Sequence, residues 1–159
     1  MTKARISFAE YIEFCNDFLS LTSQLWEWQD VNVVGENNCF LRLQTVTEEP
    51  SHGVIKSEYH IVYSLSYQVP VLYFVKQRLN GTYLSIDELY DLIPESLEIC
   101  TADYKYSFSL SIHALLNRPF YQIHPCNTSQ LMSKFESDNY IVTWLSSIGK
   151  IINFEVLLK

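Results

Sequence analysis

Hydrophobic positions along the chain switch between two periods. Near the N-terminus, Phe8, Tyr11, Ile12, Cys15, Leu19 and Thr22 recur at helical spacing on one face. Ser7 and Glu10 match a capping box, and Ile6 and Tyr11 occupy the hydrophobic-staple positions around it. The spacing predicts a helix from about Phe8 to Leu25. Trp26, Trp28, Val31, Val33 and Val34 then lead into a Gly35–Asn38 turn, and Phe40 to Val46 reads as the next strand. Thr47 to Ser57 is polar, holds Pro50 and Gly53, and reads as a mobile loop. Tyr59 to Tyr67 is a strand with Tyr59, Ile61, Tyr63, Leu65 and Tyr67 on one face. Pro70 opens a further strand, Val71 to Leu79.

Asn80-Gly81 is a hairpin signal, because a type I′ turn needs φ > 0 at both central residues. Ser85 and Glu88 match a second capping box, opening a short helix that ends before Pro94. Tyr104, Tyr106, Phe108, Leu110 and Ile112 alternate with polar residues, the pattern of a half-buried strand. Phe120 to Ile123 is a short apolar piece. A short helix then carries Leu131, Met132 and Phe135. A longer one runs from about Asn139 to Ile152, with Ile141, Trp144, Leu145, Ile148 and Ile152 on one stripe. Helix, about five strands, then two helices is an α+β order with helices segregated from an antiparallel sheet. No repeat or linker divides residues 1–159, which are expected to form a single domain.

Composition narrows the function classes. The chain has 159 residues, 48% hydrophobic and 18% charged, with a net charge of −7. Its few Lys and Arg are scattered, whereas a phosphate-binding surface needs clustered cations, so no nucleic-acid partner is expected. Tyr59 to Val75 is the longest charge-free stretch, but it alternates and is broken by Pro70, so no integral membrane segment is expected. The start of the chain lacks an apolar signal core, and the four cysteines, Cys15, Cys39, Cys100 and Cys126, are widely spaced. Together these imply reduced thiols in a cytoplasmic protein. The sequons at Asn80 and Asn127 then read as unused.

Cys126 is the candidate nucleophile. It follows Pro125 in a polar turn just before a predicted helix start, where a thiolate is favoured. The other three cysteines, Cys15, Cys39 and Cys100, lie in apolar surroundings. A protease would need a His and an orienting Asn or Asp beside the Cys, and no local protease signature surrounds Cys126. His124-x-Cys126 is the only close metal-type pair, and no glycine-rich phosphate loop is present, so the reading calls for no metal and no cofactor.

Three blocks carry a resemblance: Tyr63–Phe74 (YSLSYQVPVLYF), His124-Pro125-Cys126 with Thr128, and Asn139–Ser146 (NYIVTWLS). In this order and spacing the chain resembles the autophagy-related protein 10 family of ubiquitin-conjugating-enzyme-like proteins, over roughly residues 59 to 153. The resemblance implies a curved antiparallel sheet with an N-terminal helix on one side. It implies that Cys126 accepts the C-terminal glycine of the ubiquitin-like autophagy-related protein 12 as a thioester. Autophagy-related protein 7 would deliver it, and a lysine of autophagy-related protein 5 would attack to give an isopeptide bond. Conventional ubiquitin-conjugating enzymes carry His-Pro-Asn with the Cys further on; here Cys126 itself follows His-Pro, so another group must steady the oxyanion. Asn117 and Asn127 are the candidate donors. Tyr67, with Tyr63 on the same strand face, is a candidate for guiding the lysine. His124, Pro125 and Thr128 support the turn. Two alternatives stand beside this reading: the sibling family of autophagy-related protein 3, which joins protein 8 to phosphatidylethanolamine, and an inactive binding adaptor. The exposed Asn80-Gly81 hairpin is also a candidate edge for a partner sheet.

Overall fold

The computed structural model describes residues 2–31, 38–93 and 108–159. The expected Gly35–Asn38 turn, Val33, Val34, Cys100, Tyr104 and Tyr106 fall wholly or partly outside them. Helix α1 spans Phe8–Leu21, α2 Ile86–Asp91, α3 Thr128–Met132 and α4 Tyr140–Gly149. The strands are β1 (Glu27–Asp30), β2 (Cys39–Glu49), β3 (Gly53–Ser64), β4 (Val69–Arg78), β5 (Phe108–Ile112) and β6 (Pro119–Ile123). They form one antiparallel sheet in the order β1-β2-β3-β4-β6-β5. Among the described residues no helix is long and apolar enough to cross a membrane.

Both capping boxes form. Ser7 Oγ accepts from Glu10 N–H, and Glu10 Oε2 accepts from Ser7 N–H at 2.8 Å; Ser85 and Glu88 repeat the pattern. Ile6 and Tyr11, the staple pair, are both buried. Helix α1 stops at Leu21 rather than Leu25. Residues 22–24 leave the helix to pair with the distant C-terminal segment, where Ser23 N–H donates to Leu157 O and Thr22 Oγ1 donates to the same carbonyl. Leu25 is left exposed.

Thr47 to Ser57, expected as a mobile loop, belongs to the sheet. Strands β2 and β3 stay in register to Glu49↔Gly53, and only Pro50–His52 turns. Gly53 takes φ +75°, a conformation glycine adopts without strain. The polar residues that suggested a loop occupy mostly the outward positions of a hairpin whose Ile55 is buried in the core. Strand β3 ends at Ser64, so Tyr59, Ile61 and Tyr63 reach the core while Leu65 and Tyr67 sit exposed in the β3–β4 turn. The Asn80-Gly81 turn differs from the type I′ expectation. Only Gly81 has φ > 0, at +87°, and Gly81 N–H donates to Arg78 O. Its return arm pairs only through the Gln77↔Tyr83 bridge. In β5, Phe108 is buried but Leu110 and Ile112 are exposed, because β5 is the last strand of the sheet.

Helices α1 and α4 share one face of the sheet. Tyr11, Cys15 and Phe18 of α1 meet Tyr140, Ile141, Trp144, Leu145 and Ile148 of α4 in the core that includes Ile61, Leu72 and Phe74. Asn139 joins the two helices: its Oδ1 caps Val142 N–H and its Nδ2 donates to Phe14 O. Tyrosine hydroxyls fix the segment before α1, with Tyr63 donating to Ile6 O and Tyr140 to Ala4 O.

The opposite face carries Phe40, Val62, Val71, Tyr73 and Phe120 around two buried histidines. His113 Nδ1 accepts from Leu115 and Leu116 N–H, so its proton sits on Nε2, which donates to His60 Nδ1 at 3.0 Å. His60 Nε2 in turn donates to Glu58 Oε1 at 2.7 Å. Both imidazoles are therefore neutral. Burial and the neighbouring His60 push His113 down to about 3 from an ordinary 6.5. The hydrogen bond from His60 holds the Glu58 carboxyl well below its ordinary range, and the bonds from Arg42 and Gln44 act in the same direction.

Below pH 6.5 the unfolded chain protonates His113 while the folded chain does not, so this contribution is complete above about pH 6.5 and lost progressively toward pH 3. Glu58, depressed in the folded state, contributes above the ordinary carboxylate range and is lost in the same direction. Urea unfolding should show stability falling steadily from pH 6.5 to 4.5, with a smaller slope in His113→Gln. Identical slopes in the two proteins would contradict this.

Candidate active site

The site is built at the end of β6. Ile123 is the last paired residue, opposite Phe108 of β5. The chain then turns through His124, at φ −63° and ψ 133°, the extended conformation imposed by the following proline. A single 3-10 turn, Pro125–Asn127, leads directly into α3. Pro125 is buried and anchors the corner, whereas Cys126 and Asn127 are exposed. His124 caps the turn, its Nδ1 accepting from Cys126 N–H at 3.1 Å. That contact assigns the ring proton to Nε2. Thr128 is buried, and its N–H donates to Pro125 O.

The candidate residues separate clearly. Tyr67 comes to the corner: its ring meets the His124 ring edge-on, with centroids 5.6 Å apart. The β3–β4 turn that carries it is set by Gln68 at φ 56° and by Tyr67 N–H donating to Ser64 Oγ. Gln68 O accepts from Ile6 N–H, which ties this turn to the segment before α1. Tyr63 borders the same region, but its hydroxyl donates to Ile6 O and its ring packs on Phe8 and Tyr11. Asn127 lies in the turn beside Cys126. Asn117 does not join the corner. It sits at φ 52° in the loop before β6, so a strand about 16 Å long lies between it and the corner.

An open groove of about 320 Å³ adjoins the corner. Val62, Val71 and Tyr73 of the sheet line it together with Tyr67, His124, Pro125 and Ala114. Sequence periodicity could not show this groove, because Ala114 arrives from a loop that folds over the sheet.

The remaining described cysteines are placed differently. Cys15 is fully buried on α1, and burial pushes its thiol far up. Cys39 is half-buried; burial and then the nearby Asp30 charge raise its thiol. Cys126 is the exposed thiol among the three. An exposed sulfur on a braced turn whose His124 and Pro125 line an open groove can act as a nucleophile toward a large acyl donor.

Comparison with known proteins places this geometry. The solution structure of KmAtg10 superposes with a TM-score of 0.56 over 93% of this chain and 95% of that one, at 20% identity, so the two share a fold. The family described as "Autophagocytosis associated protein, active-site domain" matches residues 10–159, and the chain belongs to that family. Human ubiquitin-like-conjugating enzyme ATG10 is 33% identical over 115 residues, 67% of this chain and 52% of that protein. The Arabidopsis thaliana protein of the same name is 29% identical over 157 residues, 88% of this chain and 69% of that protein. The chain thus spans about half the length of the human relative.

Thiol accessibility gives a direct check. With limiting iodoacetamide on the native protein, Cys126 should be alkylated at least about 100-fold faster than Cys15, which should react only on unfolding. Mass spectrometry of the digested protein reads both. Equal native rates would contradict the described packing.

Proposed function

We propose that this chain is a ubiquitin-like-protein conjugating enzyme of autophagy, acting through Cys126. It takes autophagy-related protein 12 from protein 7 and passes it to a lysine of protein 5, in the cytoplasm, where thiols stay reduced. The observation that carries this is the exposed Cys126 on a braced His-Pro-Cys corner, in a chain of the active-site-domain family.

The chemistry has two steps. The Cys126 thiolate attacks the thioester carbonyl presented by the activating enzyme, whose own thiolate leaves. A neutral lysine amine then attacks the new thioester; the amine loses its proton, the Cys126 thiolate departs and an amide forms. A thioester is the more reactive acyl donor, so two easier steps replace one hard step. The protein must place the amine in line and steady the oxyanion. Asn127, in the same turn as Cys126, is the donor we carry forward. Tyr67 and His124 border the approach of the lysine. Docking removes water from the lysine and disfavours its charged form, which supplies the free amine without a dedicated base.

The test is a charging and transfer assay with the activating enzyme, ATP and protein 12. The wild type should give a thiol-sensitive adduct on non-reducing gels, and Cys126→Ser a thiol-resistant ester. Protein 5 should discharge the wild-type adduct into a stable conjugate. Asn127→Ala should slow discharge by about 10- to 100-fold while charging stays near normal. Charging with protein 8 and transfer to phosphatidylethanolamine would instead favour the protein 3-like reading. Binding of protein 5 or 7 without any adduct would favour an adaptor. Equal loss of both steps in Asn127→Ala would sink its assignment as the oxyanion donor.

A further inference from the structure

Residues 113–117 of the loop between β5 and β6 fold over the sheet face opposite α1. Leu115 and Leu116 pack there on the cluster of Phe40, Val62, Val71 and Tyr73. The loop also supplies Ala114, which lines the groove together with Tyr67, His124 and Pro125. Its backbone is held by identifiable acceptors. Leu115 and Leu116 N–H both donate to His113 Nδ1 at 3.1 Å, Asn117 N–H donates to His113 O, and His113 N–H donates to Arg118 O.

His113 can serve two amides only while Nδ1 is unprotonated, and the rest of the network enforces that state. Its Nε2–H has an acceptor in His60 Nδ1, and His60 Nε2–H has one in Glu58. Arg42 and Gln44 hold the Glu58 carboxylate in place. One proton arrangement therefore satisfies every bond from Glu58 to Leu116. His60 and His113 are each about 1% exposed or less, enclosed by Phe40, Tyr73 and Phe120, so water cannot substitute for a lost partner. Buried relays of this kind set tautomer and orientation for the group at their end. Here that group is a backbone loop that shares a groove with His124 and Pro125.

We propose that Glu58, His60 and His113 are positioning residues for the transfer step: they hold the 113–117 loop in place at the groove that His124 and Pro125, the two residues before Cys126, also line, and so set how the lysine-bearing partner reaches the thioester. This rests on the conjugating-enzyme reading above. None of the three touches Cys126 or the reacting atoms. The first step needs only the exposed sulfur and is expected to be insensitive to the relay. The second step depends on the alignment of an incoming chain, and a displaced loop misaligns it.

The test uses Glu58→Ala and Glu58→Gln in the full chain, which leave both histidines and the buried core in place. Gln keeps an Oε1 acceptor for His60, and the exposed Gln44 can turn its amide to match; Ala keeps nothing. In Glu58→Ala, hydrogen exchange at the Leu115 and Leu116 amides should accelerate by about tenfold or more. The acceptor KM in the discharge reaction should rise by about tenfold, with the rate of thioester formation within about twofold of wild type. Glu58→Gln should restore both the protection and the KM. Faster loop exchange with an unchanged acceptor KM would overturn the proposal, since the relay would then only order the loop. Unchanged exchange would overturn it as well, and so would charging and discharge falling together. A wild-type chain that is never charged would defeat the enzyme reading and the transfer role with it; accelerated exchange in Glu58→Ala would then still show that the relay orders the loop.

Discussion

The pairing of β6 between β4 and β5 is the constraint on which the rest of the molecule turns. Tyr73↔Gln122 and Phe74↔Tyr121 fix β6 on one side, and Phe108↔Ile123 through Ile112↔Pro119 fix it on the other. A one-residue slip would exchange its two faces. Phe120 would then leave the histidine face and Ile123 the helix-side core. Because the register is set on both sides, the chain leaves the sheet at one point, immediately after Ile123. His124 and Pro125 convert that exit into a turn, the His124 cap and the buried Pro125 ring hold it, and Cys126 is left outside the packed core.

The two faces of the sheet do different work around that corner. On the helix side, buried tyrosine hydroxyls reach backbone carbonyls, which ties the segment before α1 to the sheet and to α4. Gln68 O accepts from Ile6 N–H, so the turn that carries Tyr67 is fixed by the same segment. On the other side, a polar relay under aromatic cover holds a loop across the sheet. The corner therefore lies between two turns, each held by groups far away in the chain. The face that bears the relay holds the smaller of the two hydrophobic clusters, and matched donors and acceptors add to its order.

How much of this was legible in the sequence depended on the range of the forces involved. Helix α1 and helix α4 could be read because a capping box, a staple and an apolar stripe are local signals, and Ile141, Trp144, Leu145 and Ile148 are all buried as their spacing implied. The α+β class followed from the order of those elements. The end of α1 could not be read, because Thr22 and Ser23 bond a carbonyl more than 130 residues away. The β2–β3 arms were obscured by their own polar faces and by Pro50 and Gly53, which mark a turn but do not show how tight it is. At the candidate site, Cys126 and its turn stood out because proline, cap and helix start are neighbours in sequence. The groove and the His60–His113 pair did not, since 53 positions separate those rings and only the folded sheet joins them. Asn117 and Asn127 looked equivalent as amides near a cysteine, and only the strand between the loop and the corner distinguishes them.

Among the described cysteines Cys126 alone is exposed, and the proposed acyl transfer runs through it. The most direct measurement uses a chain in which Cys15, Cys39 and Cys100 are all replaced by Ala, charged in the reconstituted system and digested for mass spectrometry of the adduct. The account predicts charging at close to the wild-type rate, with the acyl group mapped to Cys126. A chain with Cys126 as its sole cysteine that folds but takes no acyl group, or an adduct mapped to any other residue, would contradict it.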